Sequence, residues 1–382
     1  NLESGNISGT NVTVSNSNQA NGGILVGANV NTQREGKLVV ENAAPGSITL
    51  NGNLNSNGGY IIVENQTYDI ETPRVVYGDF ILLDVNRINQ PSQYVDGGII
   101  GDVFIQNAGS QGITINNDIV SDNLMVTNDN GGINIGNVNL TAQHRDIIIS
   151  NSSNATSGIN IAANVEANSG DVVVENSGNG NIQLTETSSL SGQRVLVENQ
   201  TYDIETPRVP EGGYILLGVE RNENTSPNLD GGIIANGNIT GTDEVYIQNS
   251  GNNGITTNGD VTGQDVAITN NGGDVNINGD VDGDDVTISN SDNGGEVNIN
   301  GNVDGNDVLV ENNGSGNINN PGNVNGDVKD HEYGIETPRN TDDVPYISLD
   351  VERRPFPPTP QPDPVPTVII RDNDPTRLIY DK

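Results

Sequence analysis

A short apolar strand that ends in asparagine returns along this chain at a nearly fixed interval. No other feature limits the possible folds so tightly. The pattern is read at Val12-Thr-Val-Ser-Asn16, Val39-Val-Glu-Asn42 and Ile62-Val-Glu-Asn65. It returns at Phe104-Ile-Gln-Asn107, Met125-Val-Thr-Asn128, Ile148-Ile-Ser-Asn151, Val173-Val-Glu-Asn176, Leu196-Val-Glu-Asn199 and Tyr246-Ile-Gln-Asn249. Ile268-Thr-Asn270, Ile288-Ser-Asn290 and Val310-Glu-Asn312 complete it. Outside two long interruptions, successive asparagines lie 20 to 26 residues apart. A repeat this short cannot bury an apolar face alone, so each unit is read as one coil of a stacked structure.

Three consecutive coils align almost without gaps: Gly254 to Val261, Asp274 to Val281 and Glu296 to Val303. A second strand follows each, at Asp265 to Ile268, Asp285 to Ile288 and Asp307 to Val310. Apolar residues alternate within these strands, as at Val275 and Ile277 or Val286 and Ile288, which predicts strands buried on one face. Asn-Gly, Asp-Gly and Gly-Gly corners separate them. The expected fold is therefore all-β, a β-solenoid of about three short strands per coil. In such a stack the same position recurs every ~4.8 Å. An inward asparagine can then bond the amide above and below it. Asn107, Asn128, Asn151, Asn176, Asn199, Asn249, Asn270, Asn290 and Asn312 are the expected rungs of this ladder.

Composition narrows the function. The formal charge is −36 with a pI near 4.1, which argues against nucleic-acid binding. Cysteine and tryptophan are absent and there are 3 phenylalanines, as suits a thin aliphatic column without disulfides or thiolate metal sites. No apolar run is long enough for a membrane span. No signal peptide opens the chain. The Asn-x-Ser/Thr sequons at Asn11, Asn65, Asn199 and Asn238 read as products of an Asn-, Ser- and Thr-rich composition. His144 and His331 are the only histidines, and no triad order or zinc spacing surrounds them. No catalytic, cofactor-binding or metal-ligating residue is therefore assigned. Asp280-Val-Asp-Gly-Asp-Asp285 is a fragment of a calcium-type loop that lacks its distal glutamate; solvated corner acids are the preferred reading, with calcium a weak alternative.

A larger repeat overlies the coils. Val63-Glu-Asn-Gln-Thr-Tyr-Asp-Ile-Glu-Thr-Pro-Arg-Val75 recurs letter for letter from Val197 to Val209, and Tyr333-Gly-Ile-Glu-Thr-Pro-Arg339 is a third copy. The motif glutamates are 205 − 71 = 134 and 336 − 205 = 131 residues apart. An apolar strand and an arginine follow each copy. The expected role is a clasp that ties each insertion to the coils through Glu71, Arg74 and Arg87, Glu205, Arg208 and Arg221, and Glu336, Arg339 and Arg353. The chain then divides into coils 1–65, insertion 66–98, coils 99–199, insertion 200–231, coils 232–329, insertion 330–354, a proline-rich linker 355–366 and a strand-like tail 367–382. The tail is expected to begin a further domain or to add a strand to an open edge, on its own solenoid or a neighbour's.

Stretches such as Gly132-Ile-Asn-Ile-Gly-Asn-Val-Asn-Leu140 with Asp146-Ile-Ile-Ile-Ser-Asn151, and Asp274 to Val281 with Asp285 to Asn290, resemble the filamentous haemagglutinin family of two-partner secretion exoproteins. The resemblance covers the coils, about two thirds of the chain. It implies a right-handed parallel β-helix, export through an outer-membrane β-barrel, and service as a surface fibre in adhesion or biofilm. The family's Asn-Pro-Asn-Leu secretion motif is approached only by Ser226-Pro-Asn-Leu229, so the secretion domain is not expected in these residues. The expectation is a non-enzymatic, extracellular rod on a bacterial surface. Its partners are further β-helix segments end to end and a host-cell or matrix ligand. The alternative is a self-assembling filament or surface-layer protomer. A polysaccharide-active β-helix enzyme is a remote third reading.

Overall fold

The computed structural model describes residues 1–65, 99–199 and 231–325 apart from some turn residues, with short strands elsewhere that include Asp327–Asp330, Val368–Arg371 and Ile379–Tyr380. No described residue is helical. Parallel strands stack into a β-solenoid of about ten turns. Each coil contributes one strand to each of three walls. In one coil these are Ile133–Ile135, Asn139–Ala142 and Ile147–Asn151. They pair in parallel with Ile159–Ile161, Asn164–Ala167 and Val172–Asn176 of the next coil. The first wall is a 12-stranded sheet. The other two form one 23-stranded sheet, because strands such as Ser189–Asn199 and Asn238–Asn249 run through the corner between them.

Tight corners let the coils stack. Gly254 has φ +74°, and a Cβ there would lie 2.1 Å from the carbonyl oxygen of Asp274 in the next coil. Only glycine meets both conditions.

Alternation places the core. Ile133, Ile135, Leu140, Ile147 and Ile149 point inward and are at most 1 % exposed, and the next coil repeats them as Ile159, Ile161, Val165, Val172 and Val174. The first two walls show the expected one-sided burial, with Asn134 and Asn139 exposed. The third wall departs from it. The strands Leu38–Asn42, Leu124–Asn128, Ile147–Asn151 and Val172–Asn176 are buried at every position. Their outward residues Val39, Met125, Ile148 and Val173 are covered, yet lie outside the core cluster. This wall therefore has a second apolar face, whereas period-2 patterning alone predicted one.

Candidate functional site

The ladder asparagines sit where the third wall turns toward the first. Their side chains point inward, and each amide nitrogen donates to the amide oxygen of the next coil. The distances are 3.1 Å from Asn16 to Asn42, 2.9 Å from Asn42 to Asn65 and 3.3 Å from Asn65 to Asn107. They continue at 2.8, 2.9, 3.2 and 2.8 Å through Asn128, Asn151, Asn176 and Asn199. Steps of 2.9, 2.8, 2.9 and 3.0 Å then reach Asn249, Asn270, Asn290 and Asn312. The same nitrogens also serve the turn: Asn176 donates to the carbonyls of Gly178 and Gly180 at 3.0 and 3.2 Å. One residue type thus closes the corner and locks the stack, which explains its recurrence. The sequence-predicted clasp residues Glu71, Arg74, Arg87, Glu205, Arg208, Arg221, Glu336, Arg339 and Arg353 lie outside the described residues.

The corner acids are engaged between coils. Asp260 Oδ1 accepts the backbone N–H of Asp280 at 3.0 Å, and Asp280 Oδ1 accepts that of Asn302 at 2.8 Å. Asp284 Oδ1 accepts from Asn306 Nδ2 at 2.9 Å. Among the described residues no group of three or more His, Asp or Glu side chains is arranged to hold a metal ion. His144 is exposed and pairs with Asp122 at 2.7 Å.

Titratable groups gather where the second wall meets the third. Asp171 accepts Arg194 Nε at 3.1 Å. This hydrogen bond raises the guanidinium pKa further. Glu244, Asp265, Asp285 and Asp307 follow Arg194 in register, one per coil. Burial first, then Glu244, pushes the Tyr246 phenol well above its ordinary range. Burial, followed by Asp285, Glu244 and Asp284, pushes the Asp265 carboxyl up. A carboxyl with a raised folded-state pKa favours folding below its unfolded pKa, and that contribution is lost as pH rises through the folded value. Asp265→Asn is therefore expected to stabilise the protein at pH 7. The gain should be only a few tenths of a kcal/mol because the site is largely solvated. It should vanish near about pH 2.5, where the carboxyl is protonated in both states; thermal unfolding at the two pH values checks the sign.

One depression of about 450 Å³ lies on the first wall, lined among others by Gln111, Asn134, Ser157, Asn160, Asn181 and Gln183. Asn134, Asn160 and Gln183 stack in register along it. Its side chains offer hydrogen-bond donors and acceptors and carry no titratable group.

Sequence reading missed the buried outward residues of the third wall, among them Glu41, Glu175 and Glu198 at 0, 2 and 3 % exposure. The available signal was the third apolar residue in triplets such as Val172-Val-Val174. The fold and ladder define a β-solenoid repeat protein. Compared with known proteins, the chain matches no family model, no curated protein and no solved structure.

Proposed function

We propose that this chain is a segment of a rod-like bacterial surface fibre, non-enzymatic and extracellular, of the filamentous haemagglutinin type. The carrying observation is the unbroken amide ladder from Asn16 to Asn312, which makes a stiff column whose accessible faces are polar. A net charge of −36 keeps such a column soluble and apart from its neighbours. The resemblance of the coils to two-partner secretion exoproteins supports the same reading. The polar first wall, with its amide-lined depression, is then the face offered to a host-cell or matrix ligand.

A specific observation favours a second reading, a filament joined end to end. The tail strand Val368–Arg371 pairs in parallel with Val12–Asn16, Val12 against Val368 through Ser15 against Arg371. The acceptor is the outer edge of the first third-wall strand. A tail that fits this edge within one chain also fits it on the next copy.

Electron microscopy of the purified chain separates the two. Isolated short rods are expected for a spacer, and long filaments of uniform width for assembly. Filaments that persist after removal of residues 355–382 exclude the tail as the joint. Release of reducing ends from acidic polysaccharides would overturn the non-enzymatic reading.

A further inference from the structure

The residue before each ladder asparagine forms a column of its own on the outward side of the third wall. Its register runs Ser15, Glu41, Glu64, Gln106, Thr127, Ser150, Glu175, Glu198, Gln248, Thr269, Ser289, Glu311, Lys329. The order Gln-Thr-Ser-Glu-Glu repeats after the first long interruption, and again after the second with Lys329 in the last place. Glutamates occupy this column only on the last coils before an insertion. They are buried, at 0 % for Glu41, 6 % for Glu64, 2 % for Glu175, 3 % for Glu198 and 1 % for Glu311. Glu311 accepts Ser289 Oγ at 3.1 Å, and all five engage a hydrogen-bonding or electrostatic partner.

Glu41 with Glu64 and Glu175 with Glu198 are carboxyls on adjacent coils, ~4.8 Å apart and shielded from water, which repel each other unless a cation lies beside them or one holds a proton; Glu311 instead adjoins Ser289 and Lys329 in register. The chain has few cations, 15 Lys and Arg in all. Of those whose side chains are described, Arg194 is held by Asp171. The inserted segments each bring an arginine at the same offset from this column: 74 − 64, 208 − 198 and 339 − 329 are all 10. Each brings a second in Arg87, Arg221 and Arg353. The apolar neighbours of the glutamates are covered too, with Ile62 at 5 %, Leu196 at 2 % and Tyr246 at 2 % exposure. This burial is complete within a single chain.

We infer that the outward face of the third wall is a docking surface for the arginine-bearing stretches 66–92, 200–230 and 331–354 of this same chain, each seated on the glutamates of the coils that precede it. Apart from the short strands Val75–Tyr77, Phe80–Leu82, Tyr202–Asp203 and Asn222–Glu223, these stretches lie outside the described residues, and Gln93–Val95 already belongs to the first wall. The inference goes beyond the fibre reading and does not depend on it. It gives the clasp its acceptor: Glu41 and Glu64, Glu175 and Glu198, and Glu311.

The absence of cysteine allows a direct test. Leu196→Cys is placed in the full chain and its rate of maleimide labelling is followed. Adding Arg208→Gln and Arg221→Gln should speed labelling by about tenfold or more, as local protection is lost. Arg339→Gln and Arg353→Gln, at the distant third segment, should leave the rate unchanged. Inward Val197→Cys should stay protected in every variant, reporting an intact column. Should Val197→Cys also open, the arginine changes are repeated with Glu175→Gln and Glu198→Gln. A much smaller acceleration on that background supports the pairing; equal acceleration on both backgrounds overturns it. Equal rates with and without the arginines overturn the docking surface. A native rate that climbs on dilution assigns the cover to a second copy and overturns the same-chain assignment.

Discussion

Asn249→Ala is expected to cost about 3–6 kcal/mol of stability, far more than an exposed asparagine would. Asn249 is fully buried. Its Oδ1 accepts from Asn199 Nδ2 at 2.9 Å and from the Gly251 N–H at 3.0 Å. Its Nδ2 donates to the Gly251 carbonyl at 2.7 Å and to Asn270 Oδ1 at 2.8 Å. Alanine removes all of these, and each buried polar group deprived of its bond costs about 1–3 kcal/mol. Asn258 is the control. It sits in a parallel ladder, bonded to Asn236 at 2.6 Å and to Asn278 at 2.7 Å, but in solvent. Water replaces those bonds, so Asn258→Ala should change stability by no more than about 0.5 kcal/mol. Urea denaturation of both variants makes the comparison. Similar small losses in the two would show that the inner ladder does not hold the stack.

The second large effect comes from deletions of different length. Asn270 and Asn290 occupy the same register position in adjacent coils. Removing residues 271–290 therefore takes out one whole coil and brings Asn270 against Asn312, with every inward residue still inward. The shortened chain should keep its β-sheet circular dichroism and unfold cooperatively. Removing Thr287 alone should be far worse. Strand residues alternate sides, so everything beyond the deletion changes face. Ile288 leaves the core, at about 1.5–3 kcal/mol. Asn290 loses its bonds to Asn270, Asn312 and the Gly295 carbonyl, at 2.9, 3.0 and 3.0 Å. The sum is about 5 kcal/mol or more, read as rapid hydrogen exchange from residue 285 onward. A single-residue deletion tolerated as well as the whole coil would contradict the stacked register.

The sequence exposed some of this organisation clearly and some not at all. Asparagine in the middle of a β-rich unit is costly unless its amide is satisfied. Its return at a constant interval therefore marks an inward, stacked corner. The alternation of Val275 with Ile277 likewise marked the first wall. The outward side of the third wall was hidden for a physical reason. Alternation reports the face that packs on the local column, while cover for the other face depends on residues distant in sequence. Nothing in the letters of Glu41, Glu175 and Glu198 sets them apart from charges beside any β-strand. Only the register, which lines them up with Gln248, Thr269 and Ser289, separated them from the surface. The partner of the tail strand was open in the same way: an edge-seeking segment was recognisable, but nothing in its letters named Val12–Asn16 as the edge.

The direction of the hydrogen bonds has a mechanical consequence. In this column the backbone bonds and the amide rungs both run along the long axis, from one coil to the next. Tension applied to a chain end peels the terminal coil from the next, opening these bonds one after another instead of all at once. The molecule should unreel winding by winding at low, even force, each winding yielding on the order of 70 Å of slack. A tether of this kind absorbs a sudden tug by lengthening, and rewinds against its own remaining turns when the strain subsides.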